Sequence, residues 1–131
     1  MEFTIDRSKW RCGGVHNKNS RGKGGTSLLN EEGFMCCLGQ TCRQVGIEKE
    51  DLLKKNEPRQ IDTKLHTKNL GIFVESRGLF STFMDTELSK SAMIINDTSF
   101  LNQKERESKL RELFKRHGHK IKFVGKSVKT K

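Results

Sequence analysis

Polar and apolar residues alternate in two short segments at opposite ends of the chain. These segments are Glu2-Phe3-Thr4-Ile5 near the start and Lys120-Ile121-Lys122-Phe123-Val124 near the end. A period of two places the apolar side chains on one face of an extended segment, so both patterns predict half-buried β-strands. A third short strand is predicted at 27–29, before a turn at 30–33, and residues 70–74 have the composition of a strand or a buried segment.

Apolar residues recur at helical spacing in the middle and in the last third of the chain. The pattern predicts helices at 34–45, 87–95 and 103–117, one short helix over 48–55, and a connector at 56–69. Gly46 and Gly118 follow two of these helices, in the position where glycine commonly ends a helix. Asn102 and Glu105 have the spacing of a capping box. Gly39, inside the first helix, predicts a close packing contact.

Together these elements predict one small α+β domain, with helices packed on one face of a short, largely antiparallel sheet. The domain is expected to span residues 1–124. It includes a basic, glycine-rich loop at 13–26, and a basic tail follows at 125–131.

Composition limits the class of protein. The 131 residues are 32% hydrophobic, and 26 Lys and Arg against 16 Asp and Glu give a net charge of +10. No run of about 18 apolar residues is present, so no membrane span is predicted. The first residues also lack the apolar stretch of a secretory signal, and we expect a cytoplasmic protein. The excess positive charge predicts a phosphate-bearing or otherwise anionic partner.

Four cysteines, at positions 12, 36, 37 and 42, raise the question of disulfides or metal binding. Without an export signal a disulfide framework is not expected, because the cytosol keeps thiols reduced. The Cys-x2-Cys spacing of structural zinc sites is absent. If zinc were bound, Cys12 and His16 would be the only plausible extra ligands. We expect no metal and no other cofactor, and interpret Cys36, Cys37 and Cys42 as small buried side chains on a helix face.

The glycine-rich loop is the first candidate for ligand binding. Cations, a hydroxyl and glycines combine in Arg21-Gly22-Lys23-Gly24-Gly25-Thr26, and glycine N–H groups can surround a phosphate. The single tryptophan, Trp10, lies between Lys9 and Arg11, which suits stacking on a nucleobase. The alternatives are a surface loop that is basic by chance and a Trp10 that anchors the core.

A second candidate lies at the predicted end of a helix. Asn96 and Asp97 could hydrogen-bond a base edge or a ribose, or could cap the turn that follows. The predicted ligand-binding residues are therefore Arg7, Trp10, Arg11, Arg21, Lys23, Gly24, Thr26, Asn96 and Asp97.

Catalytic templates are not recognisable in the sequence. The four histidines, at 16, 66, 117 and 119, lie in no hydrolase or metalloprotease spacing. The glycine-rich loop also lacks the Walker A order Gly-x4-Gly-Lys-[Ser/Thr]. We therefore predict a binding protein without catalytic residues rather than an enzyme.

Four motifs are spread over most of the chain. They are Trp10-Arg11-x-Gly13, then Leu28-Leu29-Asn30-x2-Gly33-x-Met35-Cys36-Cys37-Leu38-Gly39, then Ala92-Met93-x-Ile95-Asn96-Asp97, and finally Lys104-Glu105-Arg106-Glu107 with Leu113-Phe114. In this combination the chain resembles small proteins of phages and prophages, and Met-Cys-Cys-Leu-Gly is the most specific element. The resemblance implies an anti-defence sponge in the host cytoplasm, which binds and sequesters cyclic nucleotide immune signals without chemistry.

Three functions remain, in decreasing order of support. Sequestration of a cyclic di- or oligonucleotide is favoured by the basic loop and Trp10, and a homodimer could supply a closed pocket for it. A DNA- or RNA-binding accessory role is favoured by the net charge and the basic tail, but no helix-turn-helix, RRM aromatic pair or zinc finger is present. An enzyme acting on nucleotides comes last.

Overall fold

The computed structural model describes residues 1–13, 27–77 and 82–126, so most of the predicted loop and the end of the predicted tail lie outside it. In chain order the elements are β1 (Glu2–Asp6), α1 (Cys37–Gln44), α2 (Lys49–Leu52), β2 (Val74–Arg77), β3 (Thr82–Asp85), α3 (Glu87–Asp97), α4 (Gln103–Arg116) and β4 (Lys120–Val124). Short 3₁₀ turns at Pro58–Gln60, Thr63–Leu65 and Lys68–Ile72 lie between α2 and β2. The predicted α+β class is confirmed.

The two ends of the chain meet in the main strand pair. β1 and β4 are parallel, from Glu2 opposite Lys120 to Asp6 opposite Val124. β2 and β3 form a separate antiparallel pair. Strand pairing is thus mixed rather than largely antiparallel. The alternating pattern could not predict this, because a period of two fixes the buried face of a strand but not the direction of its partner.

The core lies on one face of the β1–β4 pair. Phe3 and Ile5 of β1 and Ile121 and Phe123 of β4 are buried, as the alternation predicts. Helix α4 packs against this face, where Phe114 meets Phe3 edge-on with ring centroids 5.8 Å apart. The polar residues between these apolar ones lie on the opposite face.

The outer edge of β1 is closed by side chains of α1. Gln44 accepts from the N–H of Thr4 at 2.8 Å and donates to its carbonyl oxygen at 2.7 Å. Gln40 does the same for Asp6, at 2.7 and 3.0 Å. These two amides replace the hydrogen bonds that another strand would make, so no further strand can pair with β1 at these residues.

Helix α1 begins three residues later than its apolar pattern predicts. The main chain of Met35 is engaged instead with the segment after β1, because its carbonyl accepts from Arg11 N at 2.8 Å and its N–H donates to Lys9 O at 2.9 Å. The predicted close contact at Gly39 is confirmed, since a Cβ there would lie 1.8 Å from the carbonyl oxygen of Leu28.

The last two helices largely match the prediction. Helix α3 extends two residues further than the predicted 95, and α4 starts with the predicted capping box, in which Asn102 Oδ1 accepts from Glu105 N at 2.8 Å. Gly118 follows α4 with a φ of 83°. The predicted strand at 27–29 is wrong: Leu29 forms only an isolated bridge with Leu53. No helix in the described part of the chain is long and apolar enough to cross a membrane.

Candidate functional site

Four of the predicted ligand-binding residues come together at one point. Trp10 Nε1 donates to Asn96 Oδ1 at 2.7 Å. The Asn96 Nδ2 group donates to the Arg11 carbonyl and to Asp97 Oδ1, both at 3.0 Å. The main-chain N–H of Gly13 also donates to the Asn96 carbonyl, at 2.6 Å. This cluster therefore fixes the position of Gly13, the first residue of the predicted loop.

Most members of this cluster are buried, whereas Asp97 is partly exposed. Trp10 is 5% exposed, Arg11 4% and Asn96 1%. The indole of Trp10 packs on the ring of Phe123, with centroids 5.2 Å apart. This burial favours the alternative in which Trp10 anchors the core, because the indole offers no open face to a base in this structure.

Arg7, a further predicted ligand residue, is held by a buried carboxylate. Its guanidinium donates to both oxygens of Glu107, at 2.7 and 2.9 Å, and to the carbonyl of Gly125 at 3.1 Å. Burial alone would raise the pKa of Glu107, but the hydrogen bonds from Arg7 and Gln103 outweigh it and hold that pKa below its ordinary value. The pairing gives Arg7 a structural role and leaves little of its charge for a ligand.

The other predicted residues, Arg21, Lys23, Gly24 and Thr26, lie outside the described residues and stay predictions. The interpretation of Cys36, Cys37 and Cys42 as buried packing residues is confirmed, and Cys12 is buried as well, since all four are at most 3% exposed. Burial raises the pKa of each thiol, that of Cys36 to about 12. Within the described segments, no group of three or more His, Cys, Asp or Glu side chains is placed to hold a metal ion.

A cleft that the sequence did not single out is lined by four cationic side chains. It has a volume of about 450 Å³ and lies between α4 and β4. Its polar lining consists of Glu2, Arg111, Lys115, His119, Lys120 and Lys122. We call these residues, together with Ile121, the basic cleft.

The cations of the basic cleft come from two elements, α4 and the exposed face of β4, which is the face opposite the core. Arg111 and Lys115 are one turn apart on α4, and Lys120 and Lys122 are two residues apart on β4, so each pair shares a face of its element. The single carboxylate, Glu2, lies 3.3 Å from Lys122 Nζ. Both partners of this ion pair are more than half exposed, so solvent screens their attraction and Lys122 can turn to another anion.

Contacts with Glu107 and Phe123 orient the side chain of Arg111. Its guanidinium lies 3.3 Å from Glu107, the carboxylate that also holds Arg7, and 5.2 Å from the centre of the Phe123 ring. Among the described residues, Lys115 and Lys120 take part in no ion pair. The cleft therefore combines one positioned guanidinium with two ammonium groups that no described carboxylate neutralises.

His119 contributes a hydrogen-bonding ring rather than a further cation. Its Nδ1 lies 3.0 Å from the amino nitrogen of Met1. Burial lowers the pKa of His119, and the positive charges of the Met1 amino group and His117 lower it further. The lowered pKa favours the neutral imidazole, and when Nδ1 accepts from the Met1 amino group the proton is on Nε2, which can donate a hydrogen bond.

A second cavity, of about 480 Å³, lies beside the turn at residues 30–33. Its charged lining is balanced, with Lys9 and Lys49 opposed by Glu31 and Glu32. It therefore offers an anion no net attraction, and the basic cleft is the better candidate site.

No protein-family model, curated protein or solved structure matches this chain. The function of the cleft therefore has to follow from its own residues. A signal for it was present in the sequence, because residues 115–131 contain seven Lys and Arg and no acidic residue. The alternation at 120–124 also predicts that Lys120 and Lys122 share one face of a strand, but it does not indicate that Arg111 and Lys115 of α4 line the same cavity.

Proposed function

We propose that this protein binds a small phosphorylated nucleotide in the basic cleft and holds it without changing it chemically. The observation that carries the proposal is that four cationic side chains, Arg111, Lys115, Lys120 and Lys122, and one carboxylate line a mostly apolar cavity of about 450 Å³. Ligand pockets for small molecules have volumes of roughly 300–1,000 Å³. A phosphate-bearing ligand of nucleotide size is therefore the class that suits both the charge and the space.

The arrangement of the cations favours a ligand with two separated phosphates. Arg111 and Lys115 are four residues apart on α4, so they are separated by about 6 Å along the helix axis. Two residues of strand span about 6.6 Å, which separates Lys120 from Lys122 on β4. Two phosphates joined through sugars, as in a cyclic dinucleotide, suit cations that are separated in this way along each element.

The chemistry of the cleft favours retention over reaction. Its described side chains are cations, one solvent-exposed carboxylate in an ion pair, and His119, whose Nδ1 is next to the Met1 amino group. A positioned base next to a nucleophile, which hydrolysis or transfer needs, is not formed by these side chains. Sequestration of a cyclic di- or oligonucleotide, the role implied by the motif resemblance, is the form of this function that we favour.

Binding to DNA or RNA is the second candidate. Lys120 and Lys122 both lie on the exposed face of β4, and the net charge of +10 favours any polyanion. The two functions differ in their dependence on salt and on the length of the ligand. A cleft that binds a small nucleotide does not need more than two phosphates, whereas a nucleic-acid surface gains affinity with each additional one.

The test is a thermal-shift series with cyclic dinucleotides, mononucleotides and a short random duplex. A ligand present at about 100 times its Kd should stabilise the protein by about 2.7 kcal/mol. The bound ligand is then released by denaturing the protein and analysed. Intact cyclic dinucleotide in proportion to protein supports sequestration. Product that accumulates beyond one turnover contradicts it, and so does stabilisation by the duplex alone.

A further inference from the structure

The main chain of β4 has one edge that β1 does not use. Alternate residues of a strand direct their N–H and C=O groups to opposite edges. Lys120 N donates to Met1 O at 2.9 Å, and the carbonyl of Val124 accepts from Arg7 N at 2.8 Å, so these residues face β1. The main-chain groups of Ile121 and Phe123 therefore point to the outer edge, and in the described part of the chain β1 is the only strand that pairs with β4.

The open part of this edge is short. Before it, the N–H of His119 is already bonded to the Phe114 carbonyl at 2.9 Å. After it, the carbonyl of Gly125 accepts from Arg7 at 3.1 Å. Only two residues remain, Ile121 and Phe123, whereas strands in globular proteins are usually three to ten residues long. A small planar ring therefore fits this edge better than an added strand does.

The open edge borders the basic cleft. Ile121 lines the cavity between the cations of α4 and those of β4. A carbonyl and an N–H two residues apart on one strand edge offer one acceptor and one donor side by side. Each nucleobase carries a neighbouring donor and acceptor on its Watson–Crick edge, and proteins read that edge by hydrogen bonds.

We infer that the outer edge of β4 binds the base of the nucleotide, with the carbonyl of Ile121 as acceptor and the N–H of Phe123 as donor. The inference rests on the proposed function, because the cations of the cleft hold the phosphates of the same ligand. It adds that the protein selects nucleotides over other phosphates. Main-chain groups in such a site fix the orientation of the ligand, as they do in other small-molecule pockets.

The test is amide hydrogen exchange, followed by NMR on the full chain, with ADP, cyclic di-AMP and inorganic pyrophosphate as probes. Pyrophosphate carries the diphosphate of ADP and lacks both the ribose and the base, so protection of the Phe123 amide is the measurement that reports on the base. We expect the Phe123 amide to exchange at least about tenfold more slowly with either nucleotide and not with pyrophosphate, which should also bind at least about tenfold more weakly. The Lys120 amide, already bonded to Met1, is the internal control.

Each other result overturns the inference in a distinct way. If nucleotides bind no more tightly than pyrophosphate and the Phe123 amide is unchanged, the base is not read at this edge, and phosphate binding in the cleft still stands. If neither the nucleotides nor pyrophosphate bind, the proposed function fails, and this inference fails with it. If hexaglutamate slows exchange at Phe123 and the nucleotides do not, the edge accepts an acidic extended peptide instead.

Discussion

The indole of Trp10 donates a 2.7 Å hydrogen bond to the side chain of Asn96, a residue 86 positions later in the chain. The same Asn96 oxygen accepts from the N–H of Cys37 at 3.1 Å, at the start of α1. Three of the motifs that stand out in the sequence thus meet at one buried amide. This contact joins the segment after β1, the start of α1 and the end of α3.

Replacement of Asn96 should therefore destabilise the fold. In Asn96→Ala, the N–H groups of Trp10 and Cys37 lose their acceptor, and each buried group left without a partner costs about 1–3 kcal/mol. We expect the free energy of unfolding to fall by about 3 kcal/mol, measured by urea denaturation. Asn69→Ala, at an exposed position, is the control and should change it by less than about 0.5 kcal/mol. A loss below about 1 kcal/mol in Asn96→Ala would mean that the cluster is not a structural centre.

Gly39 should tolerate no side chain. Alanine normally stabilises a helix by about 1 kcal/mol relative to glycine, but at Gly39 its Cβ would lie 1.8 Å from the carbonyl oxygen of Leu28. Because main chain has to move, we expect Gly39→Ala to reduce stability by about 2 kcal/mol. A Cβ at position 71 would have no atom within 4 Å, so Gly71→Ala is the matched control. Equal stability of the two variants would contradict the close contact.

Glu107 should give the stability a specific dependence on pH. Because its pKa is lowered in the folded protein, its contribution is present above the ordinary pKa of glutamate, about 4.3, and is lost as the pH falls through the lower folded value. We expect Glu107→Gln to cost about 2 kcal/mol at pH 7, because the hydrogen bonds to Arg7 lose their charge.

Urea denaturation at pH 7 and at about pH 3 measures this effect. The difference between the wild type and Glu107→Gln should shrink at the lower pH, where the carboxylate takes up a proton. Glu112→Gln, on the exposed side of α4, is the control. A difference that stays constant or grows on acidification would argue against the carboxylate as the source of the stability.

The four cysteines should be unreactive in the folded protein. All are buried, and burial raises the pKa of each thiol, so little thiolate exists at pH 8. A disulfide reagent such as DTNB should therefore react with less than about one thiol per native chain and with all of them after unfolding in guanidinium. Rapid reaction of the native protein would contradict the packing role.

Elements with a local signal could be predicted from the sequence. The alternation at residues 2–5 and 120–124, the capping box of Asn102 and Glu105, and Gly118 each depend on neighbouring residues, and all of them are present. The parallel pairing of β1 and β4 could not be predicted, because it depends on how the two ends of the chain meet. The start of α1 was misplaced for the same reason, since Met35 is held by a segment distant in sequence.

The candidate site was harder to predict than the fold. Cations on both sides of Trp10 fit an exposed indole and a buried one equally well, and burial is decided by the partners Asn96 and Phe123. The basic cleft, in turn, exists only because α4 packs against β4, so that Lys115 and Lys120 line the same cavity. Neither relationship is encoded in the spacing of neighbouring residues.

The most direct test of the central proposal is calorimetric titration of a cyclic dinucleotide into the wild type and into Lys115→Glu/Lys120→Glu. Lys64→Glu/Lys68→Glu makes the same change in net charge at exposed positions away from the cleft and is the control. We predict that the cleft variant binds at least about tenfold more weakly while the control binds like the wild type. Equal weakening of both variants, or no weakening of either, would contradict a nucleotide site in the basic cleft.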